Sequence, residues 1–195
     1  MNREKNNASG HSAANSTSAL RLGAARKRLA ESTGQEDAID GVREIVATFL
    51  GSEELGLFRV DRTTSNFHAF WSFGIDLEKY DLVAALGDAG LQRVMRGEHH
   101  VEVSTGEHSG ALPKAQAFIP IRRADQTVAI LAILRLLPQK LAFDGHDLEL
   151  FQLLSDEAAA PLFGENVSEP SVSGPGVTRR GADAKPATGE PGMSA

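Results

Sequence analysis

Histidines and glutamates crowd the stretch between residues 98 and 108, and they are the first side chains whose types suggest chemistry. The set comprises His99, His100 and His108 with Glu98, Glu102 and Glu107. Imidazole and carboxylate are ligands for zinc and iron. However, the HExxH spacing is absent, the stretch is predicted as a loop, and short His-rich tracts are only compositional hints. We therefore predict no metal site, with the three histidines as weak candidates, and a solvated loop instead.

Aromatic side chains are the next candidates, because ligand sites are mainly apolar with a few polar anchors. The only tryptophan, Trp71, shares a predicted strand with Phe67 and Phe73, and Phe118 lies on a later strand. These rings could line a pocket. Such residues are more often ordinary core between a sheet and its helices, which is the interpretation we favour.

His68 and Arg122 fall on strand patterns that we expect to be neighbours. They could anchor an anionic ligand, since an arginine fork fits phosphate or carboxylate. More often, such residues are solvent-facing strand positions. The candidate ligand-binding residues are therefore Trp71, His68, Phe73, Phe118 and Arg122.

Nothing in the sequence predicts an enzyme. There is no cysteine, which excludes disulfides, thiolate catalysis and thiolate metal ligation. The G-x-S-x-G, P-loop and G-x-G-x-x-G motifs are absent as well. The acidic pair Asp144 and Asp147 is accounted for by the capping of a helix.

The formal net charge of −6 argues against a nucleic-acid partner, which rewards a basic face. The basic stripe Arg21, Arg26, Lys27 and Arg28 is predicted to be a solvated helix face. No apolar run is long enough to span a bilayer, and the polar start has no secretion-signal core. We expect a cytoplasmic protein that does not contact the membrane.

Composition divides the chain into four parts. Residues 1–18 are predicted to be a disordered lead, and residues 19–32 an amphipathic helix. Residues 33–163 form the one domain with a core. The Gly-, Pro- and Ser-rich residues 164–195 are predicted to be a disordered tail.

Within the domain, alternating helical and strand patterns predict the order of elements. Thr33 and Glu36 have the spacing of a capping box for a helix that ends at Gly51. Asp144 caps the last helix. The predicted elements are a helix at 35–50, strands at 54–61 and 66–76, a helical region at 81–96 broken by Gly87 and Gly90, and then a short strand at 101–103, strands at 115–123 and 127–137, and a helix at 144–163.

These elements predict an α+β fold, in which helices pack on a largely antiparallel central sheet of about five or six strands. On the second strand, simple alternation points Phe67, Ala69, Trp71 and Phe73 to one face, and His68 to the other. The strand at 127–137 is apolar on both sides, as expected for a central strand.

Three segments of the domain resemble the GAF family. ELGLFRVD with FHAFWSFGID resembles its opening hairpin, AFIPIRRADQTVAILAILR its proline-containing strand, turn and apolar strand, and LAFDGHDLELFQLLSDEAAAPL its closing helix. The family usually carries a glycine in the turn where Ala124, Asp125 and Gln126 stand here. We expect that turn to form, because aspartate supports type I geometry. The PAS and Roadblock-type folds remain alternatives of similar layout.

The resemblance implies a sensory or dimerisation module with a pocket on one face of the sheet, closed by the His-rich loop. Family members bind cyclic nucleotides, bilins, haem, iron or metabolites. Bilin attachment, cysteine-ligated iron and methionine sulfoxide reductase activity all depend on cysteine, which this chain lacks. The Asn-Lys-Phe-Asp-Glu signature of cyclic-nucleotide binders is replaced by NFHAF and LAFDG. We therefore predict no cofactor.

The resulting hypothesis is a non-enzymatic regulatory GAF protein that acts by protein–protein interaction or dimerisation. Its protein partner is a signalling protein or a second copy, because the family's terminal helices commonly pair. The helices at 19–31, 35–50 and 147–163 are the predicted dimer interface. The alternative is a sensor that binds a nucleotide or metabolite in the pocket.

Overall fold

The computed structural model describes residues 7–64, 66–77, 80–102 and 115–164. Five helices and five strands follow one another along these residues. They are α1 (Asn7–Ala30), α2 (Gln35–Ile45) with a π-helical turn (Val46–Leu50), β1 (Ser52–Asp61), β2 (Asn66–Phe73), α3 (Leu82–Met95), β3 (His100–Val101), β4 (Ala117–Arg123), β5 (Gln126–Leu136), α4 (Gly145–Glu157) and α5 (Ala159–Phe163). None of the helices in these residues is long and apolar enough to cross a membrane.

The strands form one sheet in the order β2-β1-β5-β4-β3, with every described pairing antiparallel. The predicted α+β fold with an antiparallel sheet is therefore confirmed. β5 is the middle strand, and residues 129–134 are buried on both of its faces. This double burial explains its uninterrupted apolar sequence.

Each face of the sheet has its own core. On one face, side chains of α1, α2, α4 and α5 pack on residues such as Leu57, Ile119 and Leu131; we call these helices the helix layer. On the other face, α3 covers Phe58, Phe118 and their neighbours. We call this second surface the α3 face.

The first helix begins earlier than its sequence predicts. Residues 7–18, assigned to a disordered lead, belong to α1, which starts at Asn7. The correction has a physical reason near the end of this segment, because Ser18 is buried and its hydroxyl donates a hydrogen bond to Glu149 of α4. Contact with the domain stabilises a helix that composition alone does not favour. Residues 1–6 and 165–195 lie outside the described residues.

The basic stripe of α1 is solvated only in part: Arg26 and Lys27 are exposed, as predicted, whereas Arg21 and Arg28 are half-buried. Arg26 donates hydrogen bonds to Glu157 of α4 at 2.7 to 3.0 Å. Arg28 donates to Asp37 and Glu44 of α2, each at 2.9 Å. The arginines therefore attach α1 to two helices of its own domain.

The predicted capping box of α2 is wrong. The residue before the helix is Gly34, which has no side chain to cap with, and Thr33 lies one position too early. Thr33 instead pairs with Asp37, whose carboxylate accepts from both its backbone N–H at 2.9 Å and its hydroxyl at 3.3 Å. These backbone and hydroxyl contacts, with the nearby Arg28, lower the pKa of Asp37. The far end is as predicted: Gly51 ends the helical segment at φ +67°.

The face pattern predicted for β2 is also wrong, because a β-bulge interrupts it. Leu57 pairs with Trp71 but Phe58 pairs with Ala69, so Phe70 is the extra residue. Before the bulge, Phe67 packs on the α3 face. After it, Trp71 packs with the helix layer, as Phe70 does. A bulge moves every later side chain to the opposite face.

The turn between β4 and β5 forms without glycine, but not as a type I turn. Ala124 has φ +50°, whereas type I geometry requires negative φ at both central residues. This is the only non-glycine residue at positive φ among the described residues. The family resemblance expects a glycine in this turn, and the observed backbone shows why one is favoured there.

A buried carboxylate joins the ends of the helix layer. Asp147 of α4 is fully buried, and its Oδ1 atom accepts from Lys140 at 2.7 Å and from Arg21 of α1 at 3.3 Å. Its Oδ2 atom accepts the backbone N–H of Asp144 at 2.8 Å, while Asp144 accepts the N–H of Asp147. This reciprocal pair is a capping box, which confirms the predicted cap at Asp144.

The substitution Asp147→Asn is expected to lower the free energy of unfolding by about 3 kcal/mol, because it leaves two cations without their carboxylate. Urea unfolding followed by Trp71 fluorescence measures this loss. Asp156→Asn is the control, since it removes a surface ion pair of the same helix and should cost at most about 1 kcal/mol. Equal losses in the two variants would contradict the role given to Asp147.

Candidate functional site

A cavity of about 480 Å³ opens on the α3 face, between the β1–β2 hairpin and the start of α3. Its volume lies within the range of about 300–1,000 Å³ that small-molecule sites occupy. Aromatic and aliphatic side chains line it together with polar ones, and polar and apolar atoms share its surface about equally. The lining side chains used below are Phe58, Phe67, His68, Ala69, Tyr80, Asp81 and Leu82.

Local sequence fixes both walls of the cavity. Gly56 of β1 leaves room for Leu77, whose Cδ1 atom would lie 2.6 Å from any Cβ added there. Leu77 is buried in this gap and holds the segment that leads into α3. Asp81 then caps α3 by accepting the backbone N–H of Ala84 at 3.0 Å. Gly87, at φ +60°, breaks the helix as predicted, whereas Gly90 is a buried helical residue and the break predicted there is wrong.

Tyr80 carries the most unusual polar group of the cavity. Its hydroxyl is buried and makes no hydrogen bond of ordinary geometry with any described residue. Its ring packs against Phe58 at a centroid distance of 6.0 Å. Burial raises the pKa of Tyr80 to about 12; the negative charge of Glu102 adds to this, and the nearby backbone of Ala115 partly opposes it. A buried hydroxyl without a partner costs free energy, and a ligand that supplied one would recover it.

The structure brings only one of the five candidate ligand-binding residues to this cavity. His68 lines it, and so does Phe67, the other aromatic residue considered with them. Trp71 packs against the helix-layer core, and Phe118 is fully buried on the α3 face. Phe73 lies at a second cavity of about 450 Å³ beside Glu53, Glu54 and Arg135. These aromatic rings therefore do not line one pocket, because Trp71 lies on the helix-layer face of the sheet and Phe118 on the α3 face.

Arg122 is not beside His68. Its strand, β4, is separated from β2 by β1 and β5, which at about 4.8 Å per strand puts roughly 14 Å between them. Arg122 donates to Asp156 of α4 at 2.9 Å. The expectation that their strands are neighbours is wrong, because sheet order does not follow chain order here. This pair does not form one anion site.

The neighbouring histidines of the His-rich stretch point to different cores. His99 packs against Phe151 of α4, with 5.7 Å between ring centroids. His100 stacks on Phe118 at 6.3 Å, and its Nε2 atom lies 2.9 Å from Glu102. The part of the chain that the structure describes contains no group of three potential metal ligands. His108 lies outside the described residues.

Sequence reasoning missed most of the residues that line the cavity, including Phe58, Tyr80, Asp81 and Leu82. One signal was available, because Tyr80 and Asp81 immediately precede the helical pattern and aspartate is a favoured cap. The cavity as a whole depends on which segments meet, and this does not follow from local spacing.

The pKa of Tyr80 gives a measurable test of its environment. The chain has one tyrosine, so the near-ultraviolet absorbance of tyrosinate reports on Tyr80 alone, and we expect a midpoint near pH 12. Since the folded pKa is raised above the ordinary value of 10.0, this residue's contribution to stability is constant below pH 10. It is lost as the pH rises from 10 to about 12. Tyr80→Phe should lose less stability across this window; a midpoint near 10 would contradict the burial of the hydroxyl.

Comparison with known proteins supports the fold. No family model and no curated protein matches the sequence. Among solved structures, the GAF domain of a Coxiella burnetii phosphoenolpyruvate-protein phosphotransferase is similar, with 19% identity, a TM-score of 0.55, and coverage of 74% of this chain and 92% of that one.

The GAF domain of the Acinetobacter phosphoenolpyruvate-protein phosphotransferase is similar as well, with 17% identity, a TM-score of 0.53, and coverage of 77% and 98%. A GAF domain/HD domain protein from Geobacter sulfurreducens gives 12% identity, a TM-score of 0.50, and coverage of 67% and 93%. These likenesses establish that the chain has the fold of GAF domains.

Proposed function

We propose, with the GAF-domain fold as the premise, that this chain is a non-enzymatic regulatory domain that binds a small molecule in the cavity on the α3 face. The observation that carries the proposal is the buried Tyr80 hydroxyl at a cavity of about 480 Å³, where it makes no hydrogen bond of ordinary geometry with a described residue and has the backbone of Ala115 nearby. Such a group favours a ligand that brings both apolar surface and a polar atom into the site.

The proposal includes the absence of catalysis. A nucleophile or general base must be available in its reactive form near neutral pH. The raised pKa of Tyr80 keeps its hydroxyl protonated there. The chain has no cysteine to take the nucleophile's place. Binding, rather than turnover, is the activity that the cavity supports.

The proposal is tested by a substitution that fills the cavity. Ala69 lines it and is exposed, so Ala69→Phe should occupy the space without disturbing the core. Ala160→Phe is the matched control, because Ala160 of α5 is exposed and lies outside the cavity. Native mass spectrometry of the purified protein, and a thermal-shift panel of nucleotides and metabolites, detect a ligand. A ligand at 100 times its Kd stabilises the fold by about 2.7 kcal/mol.

We expect at least one compound to stabilise the wild-type protein and the Ala160→Phe variant, but not Ala69→Phe. The proposal fails if the protein carries no ligand and no compound shifts its unfolding. It also fails if Ala69→Phe responds as the wild-type protein does.

A second candidate function is association through the helix layer, either with a second copy or with a signalling protein. The observation in its favour is exposed leucine on two helices that pack together: Leu20 of α1 is 75% exposed and Leu148 of α4 is 38% exposed. Exposed leucines on adjacent helices are typical of surfaces that partners cover.

If these leucines mediate a homodimer, light scattering should give twice the monomer mass for the wild-type protein, and the variant Leu20→Lys/Leu148→Lys should be monomeric. Val83→Lys is the control, because Val83 is a comparably exposed apolar residue on α3. A monomeric wild-type protein, or a dimer that survives the double substitution, excludes the homodimer.

A further inference from the structure

Aromatic rings form one side of the ligand environment on the α3 face. Phe58, Phe67 and Tyr80 line the cavity, and the Phe58 and Tyr80 rings are inclined at 40° to each other. The face of an aromatic ring carries partial negative charge, which attracts cations held above it. The walls therefore discriminate between ligands by charge as well as by size.

Asp81 is the acidic residue among the described residues that line the cavity, which also include His68. One carboxylate oxygen of Asp81 caps α3. Glu102 lies close enough to Tyr80 for its charge to raise the pKa of that hydroxyl further. No lysine or arginine is among the lining residues that the structure describes. An anion entering here would lose its hydration beside a carboxylate, with no described cation to compensate.

We propose that the cavity binds a small organic cation of the alkylammonium or quaternary ammonium class. The inference rests on the proposed function, because it names the chemistry of the ligand that this cavity takes. The cationic head lies against the rings of Phe58 and Phe67 and near the carboxylate of Asp81. A polar atom of the ligand meets the Tyr80 hydroxyl.

Three probes of nearly equal shape test the charge preference by calorimetry. The first is choline. The second is its neutral carbon isostere, in which a tert-butyl group replaces the trimethylammonium group. The third is the anion tert-butylacetate. We expect choline to bind at least about tenfold more tightly than the neutral isostere, since a desolvated cation–π contact contributes that much or more. We expect no binding of the anion.

Two variants test the residues. Asp81→Asn keeps a good helix cap, so the fold should persist while the affinity for choline falls about tenfold. Phe67→Leu keeps an apolar wall but removes the ring, with a similar expected loss. Asp125→Asn, in the exposed β4–β5 turn, makes the same charge change away from the cavity and should leave choline affinity unaltered.

The outcomes separate this inference from the proposed function. Equal or tighter binding of the neutral or anionic probe, abolished by Ala69→Phe, overturns the ligand class and leaves the proposed function standing. Choline binding that Asp81→Asn and Phe67→Leu both leave unchanged also overturns the inference. If no compound of any class binds, both proposals fall.

Discussion

The carboxylate of Asp147 is the interaction on which the arrangement of the helix layer depends. It is fully buried, and it is satisfied by Arg21 of α1, by Lys140 before α4 and by the backbone of its own cap. Arg21 and Lys140 also donate to the carbonyl of Phe49, in the π-helical turn before β1. A charge can be buried at tolerable cost only when its partners are all in place. This requirement fixes α1, the π-helical turn and the start of α4 relative to one another.

Because of this constraint, the two faces of the domain are held together by different kinds of contact. The helix layer is joined by ion pairs at several points, including the Arg26–Glu157 and Arg28–Asp37 contacts. The α3 face is held differently. Leu77 fits the space left by Gly56, and Asp81 caps a helix that Gly87 interrupts. Apolar packing on a broken helix leaves room for a cavity, whereas the ion pairs tie the opposite face closely together.

The sequence predicted those features that depend on local spacing. The strands, the helix end at Gly51, the helix break at Gly87 and the cap at Asp144 follow from short-range rules, and the structure confirms them. The prediction failed where one residue shifted a pattern. Gly34 displaced the expected cap of α2, and the bulge at Phe70 turned Trp71 to the opposite face. Periodicity cannot reveal a single inserted residue in a strand, because the residues on either side keep their alternation.

The candidate site was harder to predict because it depends on which charged side chains are already paired with one another in the folded chain. Sequence spacing suggested Arg122 as an anchor for an anion, yet in the folded chain this arginine pairs with Asp156 of the helix layer. Arg21, Arg26 and Arg28 are likewise engaged there. The arginines of the basic stripe and Arg122 of β4 therefore stabilise the helix-layer face. The cavity on the other face keeps the aromatic rings and Asp81. An arginine that already donates to a carboxylate has fewer N–H donors left for a second anion. The pairing of these arginines on the helix layer agrees with the cationic ligand that we propose for the opposite side of the sheet.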